Sequence, residues 1–389
     1  MKLFIKKTFY LYALAFGVCC CSPKGDGSVS EVVVNDHTMY VFSLNNLQKD
    51  TKTILLSSLV DDCTLVQLET TDDAFFKPGT TTVTEKYIGI RSDLAPYKLF
   101  DRSGKFLGNI GSIGNGPGEF TISVYDDIID EKNELIYLSC FMSDKIHVYS
   151  TSGKFLKDIV APHRLQKPKM FLSGNMLTVV HMPFPDDSAV AYQFDVNTGK
   201  VLKELAPPPE HFITFGFDGE LFSTRNTTGI FDLMYTSSDT LYHFDIKNNK
   251  ILPAFRVANT TEGAWVRYFQ LNKNIFLTDV NEFSKERERF MSIGLVASDL
   301  KTKTSSWIKV VNDFYGNMPV PIRLINNGYW VLNIQPDQLM DDIEDHLVKR
   351  GLSEKDVQIL NKTLSTLKED ANNVVFIGKI KNERTINLW

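Results

Sequence analysis

The chain has little of what most catalytic or nucleic-acid signatures need. Its seven histidines, His37, His147, His163, His181, His211, His243 and His346, include no pair at HxH or HExxH spacing, so no local zinc motif is written in it. Of five cysteines, three are consecutive, and only Cys63 and Cys140 lie beyond residue 21. One disulfide is the most that such a chain can form, and two isolated thiols are the simpler reading. Basic residues number 42 against 47 acidic ones, which argues against nucleic acid as a partner. The N-terminal apolar run, Phe9 to Val18, is too short to cross a bilayer. Helical periodicity is confined to one stretch near the C-terminus.

What is present at the N-terminus reads as an export signal. Lys2, Lys6 and Lys7 precede the apolar run, and Cys19, Cys20 and Cys21 close it. The stretch resembles a degenerate bacterial lipobox, which implies a lipid on Cys21, with Cys20 the second choice. An ordinary cleaved leader is the alternative. Residues 1–20 are therefore expected to be a signal peptide and 21–35, polar and Gly-rich at its start, a flexible tether. Without the three leader lysines, 39 basic residues face 47 acidic ones, a net charge of about −8.

The dominant feature is a repeat. KLFDRSGKFLGNI from Lys98, HVYSTSGKFLKDI from His147, QFDVNTGKVLKEL from Gln193 and HFDIKNNKILPAF from His243 recur with a worn copy, ASDLKTKTSSW, from Ala297. Their turn residues, Gly104, Gly153, Gly199, Asn249 and Lys303, follow one another at intervals of 46 to 54 residues. That period marks supersecondary units that bury their apolar faces only by stacking. The second copy reads as four short strands, Val124 to Ile129, Leu135 to Leu138, Ile146 to Tyr149 and Phe155 to Ile159, joined by polar turns. An antiparallel meander of this kind is one propeller blade.

Five blades are legible between residues 80 and 311, and a sixth must come from the two chain ends. Gly328 to Ile334 and Val374 to Ile380 supply strands at the C-terminus; Met39 to Leu44 and Thr64 to Leu68 are candidates at the N-terminus. A ring must close without an open edge, so an N-terminal strand is expected to complete blade six. Between the C-terminal strands, Leu339, Ile343 and Leu347, then Val357, Leu360, Leu364 and Leu367, have helical spacing, with Ser353 and Asp356 as a capping box. The expectation is an all-β, six-bladed β-propeller of four-stranded antiparallel blades over 36–389, with a helical hairpin inserted in the last blade at about 336–370. The acidic run Asp337, Asp341, Asp342, Glu344 and Asp345 reads as a solvated helix face, with partner docking the alternative.

The segment GNIGSIGNGPGEF, Gly108 to Phe120, is a glycine-rich loop leaving a strand. A phosphate loop would need a helix directly after it, and TISVYDDIID reads as strand. With LFDRSGKFLGNIG before it, the segment resembles the interblade linker of NHL-type propellers. VQLETTDD at Val66 to Asp73, SDTLYHFD at Ser238 to Asp245 and NNVVFIGKIK at Asn372 to Lys381 resemble the six-bladed propeller lipoproteins of Bacteroidetes. That resemblance implies a propeller in the cell envelope, an outer-membrane lipoprotein facing the periplasm or the cell surface, and carries no activity.

Propellers by fold place sites at the channel mouth, and some relatives hold calcium or zinc there for lactone hydrolysis or lyase chemistry. Here His163, in APHRLQKP, and His181, in VVHMPFPDD, each stand beyond an expected strand, and loops of adjacent blades would bring them together with Arg225 of TRNTTG. These three are the ligand-binding candidates; His147 and His243 alternate with apolar residues and read as structural. Paired carboxylates such as Asp186-Asp187 and Asp126-Asp127 are too common in turns to count as a site. No cofactor is expected, calcium or zinc belonging to the alternative reading. The expected function is a non-enzymatic, monomeric binding module for a glycan, peptide or envelope protein; the alternative is a metal-dependent lyase or lactonase-like hydrolase.

Overall fold

The computed structural model describes residues 28–382, 386 and 388, apart from 35, 45–46, 48–49, 77–78, 183–186, 208–218, 225–228, 237, 259–263, 323–324 and 350. Six antiparallel four-stranded sheets stand in a ring. Blade one runs outward from Thr80–Val83 through Tyr87–Arg91 and Tyr97–Asp101 to Phe106–Ile110. Blade two follows with Val124–Asp130, Leu135–Cys140, Ser143–Ser150 and Phe155–Leu165. Blade three is Lys169–Ser173, Met176–Val180, Ala191–Asp195 and Val201–Leu205, and blade four Leu221–Phe222, Phe231–Tyr235, Thr240–Asp245 and Lys250–Ala258. Blade five comprises Trp265–Gln270, Ile275–Ser284, Arg289–Asp299 and Thr304–Asn312. Apolar clusters lie between neighbouring blades, such as Ile146, Val148, Met170 and Tyr192 between blades two and three.

Blade six takes Ile325–Asn326, Tyr329–Ile334 and Val374–Lys379 from the C-terminal part and Thr64–Gln67 from the N-terminal part. Val375 faces Val66 and Phe376 faces Leu65 across that seam. The expected closure is therefore present, with the N-terminal strand outermost. The other candidate, Met39 to Leu44, goes elsewhere. His37–Ser43 pairs antiparallel with Val29–Val34 and lies parallel to the outermost strand of blade four, Tyr40 beside Phe255. Burial explains the placement: Phe42 and Met39 are 0% and 6% exposed, and Phe42 packs with Phe255 and Val257. Lys52–Leu55 lies parallel to the outermost strand of blade five. The N-terminal segment thus runs along the rim over blades four, five and six, and it is strand from Val29, inside the stretch expected as tether.

The repeat now has a conformational cause. Gly104, Gly153, Gly199, Asn249 and Lys303 all have positive φ, at 90°, 85°, 70°, 52° and 54°. Each sits in the turn between the third and fourth strands of its blade, where the chain must reverse through the left-handed region. The repeated Asp holds the same turn: Asp195 Oδ1 accepts from the Thr198 and Asn197 amides at 2.8 and 3.0 Å, and Asp101 Oδ1 from those of Ser103 and Lys105 at 2.8 and 3.1 Å.

The helical insert is as expected, Pro336–Leu347 and Glu354–Thr366. The Ser353 hydroxyl accepts from the Asp356 amide at 3.1 Å, and the Asp356 carboxylate folds back on Ser353. Leu339, Ile343 and Leu360 bury against Trp330 and Phe376 of blade six, while the acidic run faces solvent.

Candidate functional site

In each blade the innermost strand runs from one face of the ring, here called upper, to the other, so interblade connections and second-to-third turns lie on the upper face. There a charged network crosses the inner strands. Asp126 and Asp127, on the innermost strand of blade two, are 2% and 0% exposed. The guanidinium of Arg91, from blade one, stands 2.6 Å from Asp127 Oδ1 and 3.8 Å from Asp126 Oδ1, and donates to the Tyr125 carbonyl. Tyr97 Oη and Thr82 Oγ1 donate to Asp127 at 2.8 and 3.0 Å, and the Met170 amide of blade three donates to Asp126 at 2.7 Å. The network continues as Tyr125 donates to Glu220, before blade four, whose other oxygen is 3.8 Å from Lys167 Nζ. The Lys169 ammonium lies 4.4 Å over the Tyr125 ring.

Burial first, then the Glu220 carboxylate, pushes the Tyr125 phenol well above its ordinary pKa. The groups are thus held by one another across blades one to four, which is an arrangement for rigidity. Asp126 and Asp127 lie in the strand expected from Val124 to Ile129, but discounting the pair as too common to matter passed over their role. The available signal was VYDDIID itself, since two acids inside an apolar strand demand buried partners.

The residues singled out by sequence are divided. His163 does not stand beyond a strand: it lies within the outermost strand of blade two, exposed. His181 directly follows Met176–Val180 and is 0% exposed, its ring stacked on Tyr192 at 5.8 Å and 4°. Burial holds its pKa below the ordinary imidazole value, with Asp187 opposing and the nearby His163 adding to the shift. The two histidines are therefore neighbours, one in the core and one in solvent. Arg225 and Cys21 lie outside the described residues. His147 is 2.7 Å from Asp158 and His243 2.7 Å from Gln270, both within blade packing. Among the described residues, no group of three or more His, Cys, Asp or Glu side chains is placed to hold a metal ion. Cys63 and Cys140 are free thiols, pushed by burial up to about 12.

The glycine-rich loop is scaffold. Glu119 folds back to accept from the Gly116 amide at 2.7 Å, and a Cβ on Gly114 would stand 2.1 Å from its carboxylate. Tyr149 donates to the Gly118 carbonyl, tying the loop to blade two, and a strand follows it. On the lower face a cavity of about 900 Å³ has Met170 and Phe171 in its wall and Glu85, Glu131, Lys132 and Lys381 among its charged lining. Its charges are of both signs, and Lys379 there pairs with Glu85 at 3.3 Å.

The least repetitive feature is on the upper face. The middle strands of blade five, Ile275–Ser284 and Arg289–Asp299, have 10 and 11 residues where the corresponding strands of blade three have 5 each. They leave the ring as a two-stranded arm, turned by a bulge between Val280 and Asn281. Gly294 lets the arm pass Trp307, whose ring would be 2.8 Å from a Cβ there. A bare ribbon is marginally stable, and this one is braced by rings. Phe283 and Phe290 face each other at 5.5 Å, Phe290 meets Trp265 at 6.3 Å, and Trp265 meets Phe222 at 6.3 Å. Arg267 lies 4.5 Å over Phe222. Phe283, Phe290 and Ile293 remain 50%, 49% and 50% exposed. Sequence reasoning counted this stretch as an ordinary one of the five blades legible between residues 80 and 311, because alternation alone does not show where a hairpin outruns its neighbours.

Comparison with solved structures bears on the fold alone. A protein of Bacteroides fragilis NCTC 9343, described as a candidate exported protein, superposes with a TM-score of 0.60 at 15% identity, over 88% of this chain and 99% of that one. A member of the DUF4221 family from Bacteroides vulgatus ATCC 8482 gives a TM-score of 0.47 at 12% identity, over 83% of this chain and 98% of that one. No curated protein matches the sequence. The family described as "Domain of unknown function (DUF4934)" matches residues 39–379. That span runs from within the rim hairpin through all six blades to the end of the Val374–Lys379 strand, so the chain belongs to the DUF4934 family.

Proposed function

We propose that this protein is a lipid-anchored cell-envelope propeller that acts as a non-enzymatic binding module through the arm-bearing upper face. The carrying observation is the arm: a braced, non-repeating ribbon that keeps Phe283, Phe290 and Ile293 half-exposed on a ring whose ionisable groups at the same face are engaged with one another. Half-exposed aromatic and aliphatic side chains on a rigid support are the composition of a binding surface. The leader and its cysteines support attachment through Cys21 to the outer membrane, and the description of the similar Bacteroides fragilis protein as exported is in keeping with it.

Two measurements test this. Metabolic labelling with a fatty acid should mark the wild-type chain and not Cys21→Ala; label retained on that variant removes Cys21 from the anchor. Purified protein should be screened by thermal shift against oligosaccharides and short peptides, with Phe290→Ser as the control. A stabilising compound whose effect is lost in Phe290→Ser supports the upper-face module. Stabilisation that survives in Phe290→Ser and is lost in Lys381→Glu moves the site to the lower cavity, and chemical turnover of a bound compound overturns the non-enzymatic reading.

A further inference from the structure

The arm leaves an edge. Arg289–Asp299 pairs with Ile275–Ser284 along its whole length on one side, from Arg289 opposite Ser284 to Asp299 opposite Ile275. On its other side it pairs with Thr304–Asn312 only from Leu295 to Asp299. Beyond that point the outer strand turns to Met318–Pro319, Val311 facing Pro319. Residues 289–294 therefore present a backbone edge that no strand occupies among the described residues. Such an edge is a template for another extended chain, because every second residue directs its N–H and C=O outward.

A cavity opens on each face of the sheet beside this edge. One, of about 320 Å³, is lined by Asp279, Ser292, Leu295, Pro319 and Ile322; the other, of about 680 Å³, by Leu44, Ile293, Gly294 and Trp307. Lys309, exposed, borders both. We propose that the outer edge of residues 289–294 takes an extended peptide segment of a partner protein as an added strand, with alternate apolar side chains entering the two cavities. The geometry follows from the pleat: successive side chains of an added strand point to opposite faces, and each face here has a cavity to receive them. The exposed Lys309 ammonium favours a carboxylate on the segment beside it. The five consecutive charged residues Lys285, Glu286, Arg287, Glu288 and Arg289 guard the ribbon tip, while Phe290–Gly294 carries no charge, so the edge is open only where the cavities lie.

This inference rests on the binding-module reading and names the occupant. The test is selection of phage-displayed random linear twelve-residue peptides on the solubilised full chain, with counter-selection on Ile293→Asp. Ile293 is half-exposed, so the variant keeps the core intact. Enriched peptides should alternate apolar and polar residues, bind Ile293→Asp at least tenfold more weakly, and slow hydrogen exchange of amides in 289–294. Lys309→Glu provides a second surface variant and should weaken acid-bearing peptides several-fold. The inference is overturned if nothing is enriched, if bound peptides ignore both variants, if protection appears elsewhere, or if the edge proves to pair with a second copy, seen as a dimer that Ile293→Asp dissociates. An oligosaccharide that binds at Phe290 while no peptide is selected would leave the binding module standing and remove only the strand addition.

Discussion

Closure of the ring by Thr64–Gln67 makes a quantitative demand on blade six. Val66 and Leu68 are 5% and 3% exposed and pack in one cluster with Ile88, Tyr329, Val331 and Val375, which joins blades six and one. Truncating Leu68 to Ala costs about 2–5 kcal/mol through lost transfer and the cavity left behind. Val66→Ala removes two methyl groups and adds about 1.5 kcal/mol. The double variant should therefore lose about 3.5–6.5 kcal/mol, a large share of the roughly 5–15 kcal/mol that holds a domain. The two sites share neighbours, so the sum carries a coupling of either sign.

Guanidinium unfolding should be followed by far-UV circular dichroism and, in a background with Trp265, Trp307 and Trp389 replaced by Phe, by the fluorescence of Trp330, which is 1% exposed within blade six. If this strand closes the ring, both probes shift together to lower denaturant, because the blades stand or fall as one. Leu107→Ala, at a 46% exposed position on the outer strand of blade one, should change stability by less than about 0.5 kcal/mol. A loss below about 1 kcal/mol in the double variant, or a Trp330 transition that precedes the dichroism, would refute closure by this strand.

Other expectations follow from single groups. Gly104→Ala should destabilise clearly more than Gly199→Ala: a Cβ at Gly104 would stand 2.1 Å from the Gln67 carbonyl, whereas Gly199 has nothing within 4 Å, leaving it only the left-handed backbone cost of about 1 kcal/mol. Equal losses in thermal melts would show that the seam is not tight there. Cys63 and Cys140, with thiols pushed up to about 12, should react with a disulfide reagent at pH 8 far more slowly in the native protein than in denaturant; matching rates would contradict their burial. Acid should act in two stages. Burial depresses the His181 pKa, so as pH falls through about 6.5 the unfolded chain takes up a proton that the folded one refuses, and stability begins to drop. The Asp195 and Asp245 carboxylates are lowered first by the Thr198 and Asn248 amides respectively, so their contribution is full above about pH 4 and is lost as pH falls through their folded values. Burial lowers the His243 pKa as well, so His181→Phe should shrink the first stage, the double variant with His243→Phe should remove it, and both should keep the second; a first stage left undiminished in the double variant assigns it to another group.

The ring was legible because its repeat is written in backbone chemistry. Asp195, Gly199 and Lys200 recur as a type because the turn between third and fourth strands needs a carboxylate to collect amides and a residue that accepts positive φ. Even the worn copy keeps the conformation, Lys303 at 54°. The helical insert was legible for the same reason, its capping box and apolar spacing being local. The rim was not. His37–Ser43 and Lys52–Leu55 are short strands paired with residues more than two hundred positions away, and nothing local says which blade receives them. The upper-face network was missed because its members carry meaning only as a set. Asp127 is a turn residue by frequency and becomes a buried partner only when Arg91, Tyr97 and Thr82 converge on it. His163 and His181 were placed near each other, yet burial, which decides what each does, is a property of the assembled blades.

The rim and the proposed anchor together limit how the ring is presented. With the lipid on Cys21, six residues and thus seven residue steps separate it from Ser28, which is 3% exposed at the start of the rim hairpin. Fully extended, seven such steps reach at most about 25 Å. Under that anchor the outer edge of blade four would be held within that distance of the headgroups. The fourth strands of blades four and five have N-terminal strands added outside them and blade six ends in the N-terminal strand Thr64–Gln67, whereas blades one to three end in Phe106–Ile110, Phe155–Leu165 and Val201–Leu205. Lys157 and Lys203 on the latter two discourage edge pairing, and both donate to carbonyls of the next blade, Val196 and Lys247. The outer edges of blades two and three are thereby guarded by lysine. The arm edge at residues 290–294 carries no lysine of its own, and under the proposed Cys21 anchor its place on blade five, beside blade four, would bring it toward the membrane surface, where another envelope protein would meet it.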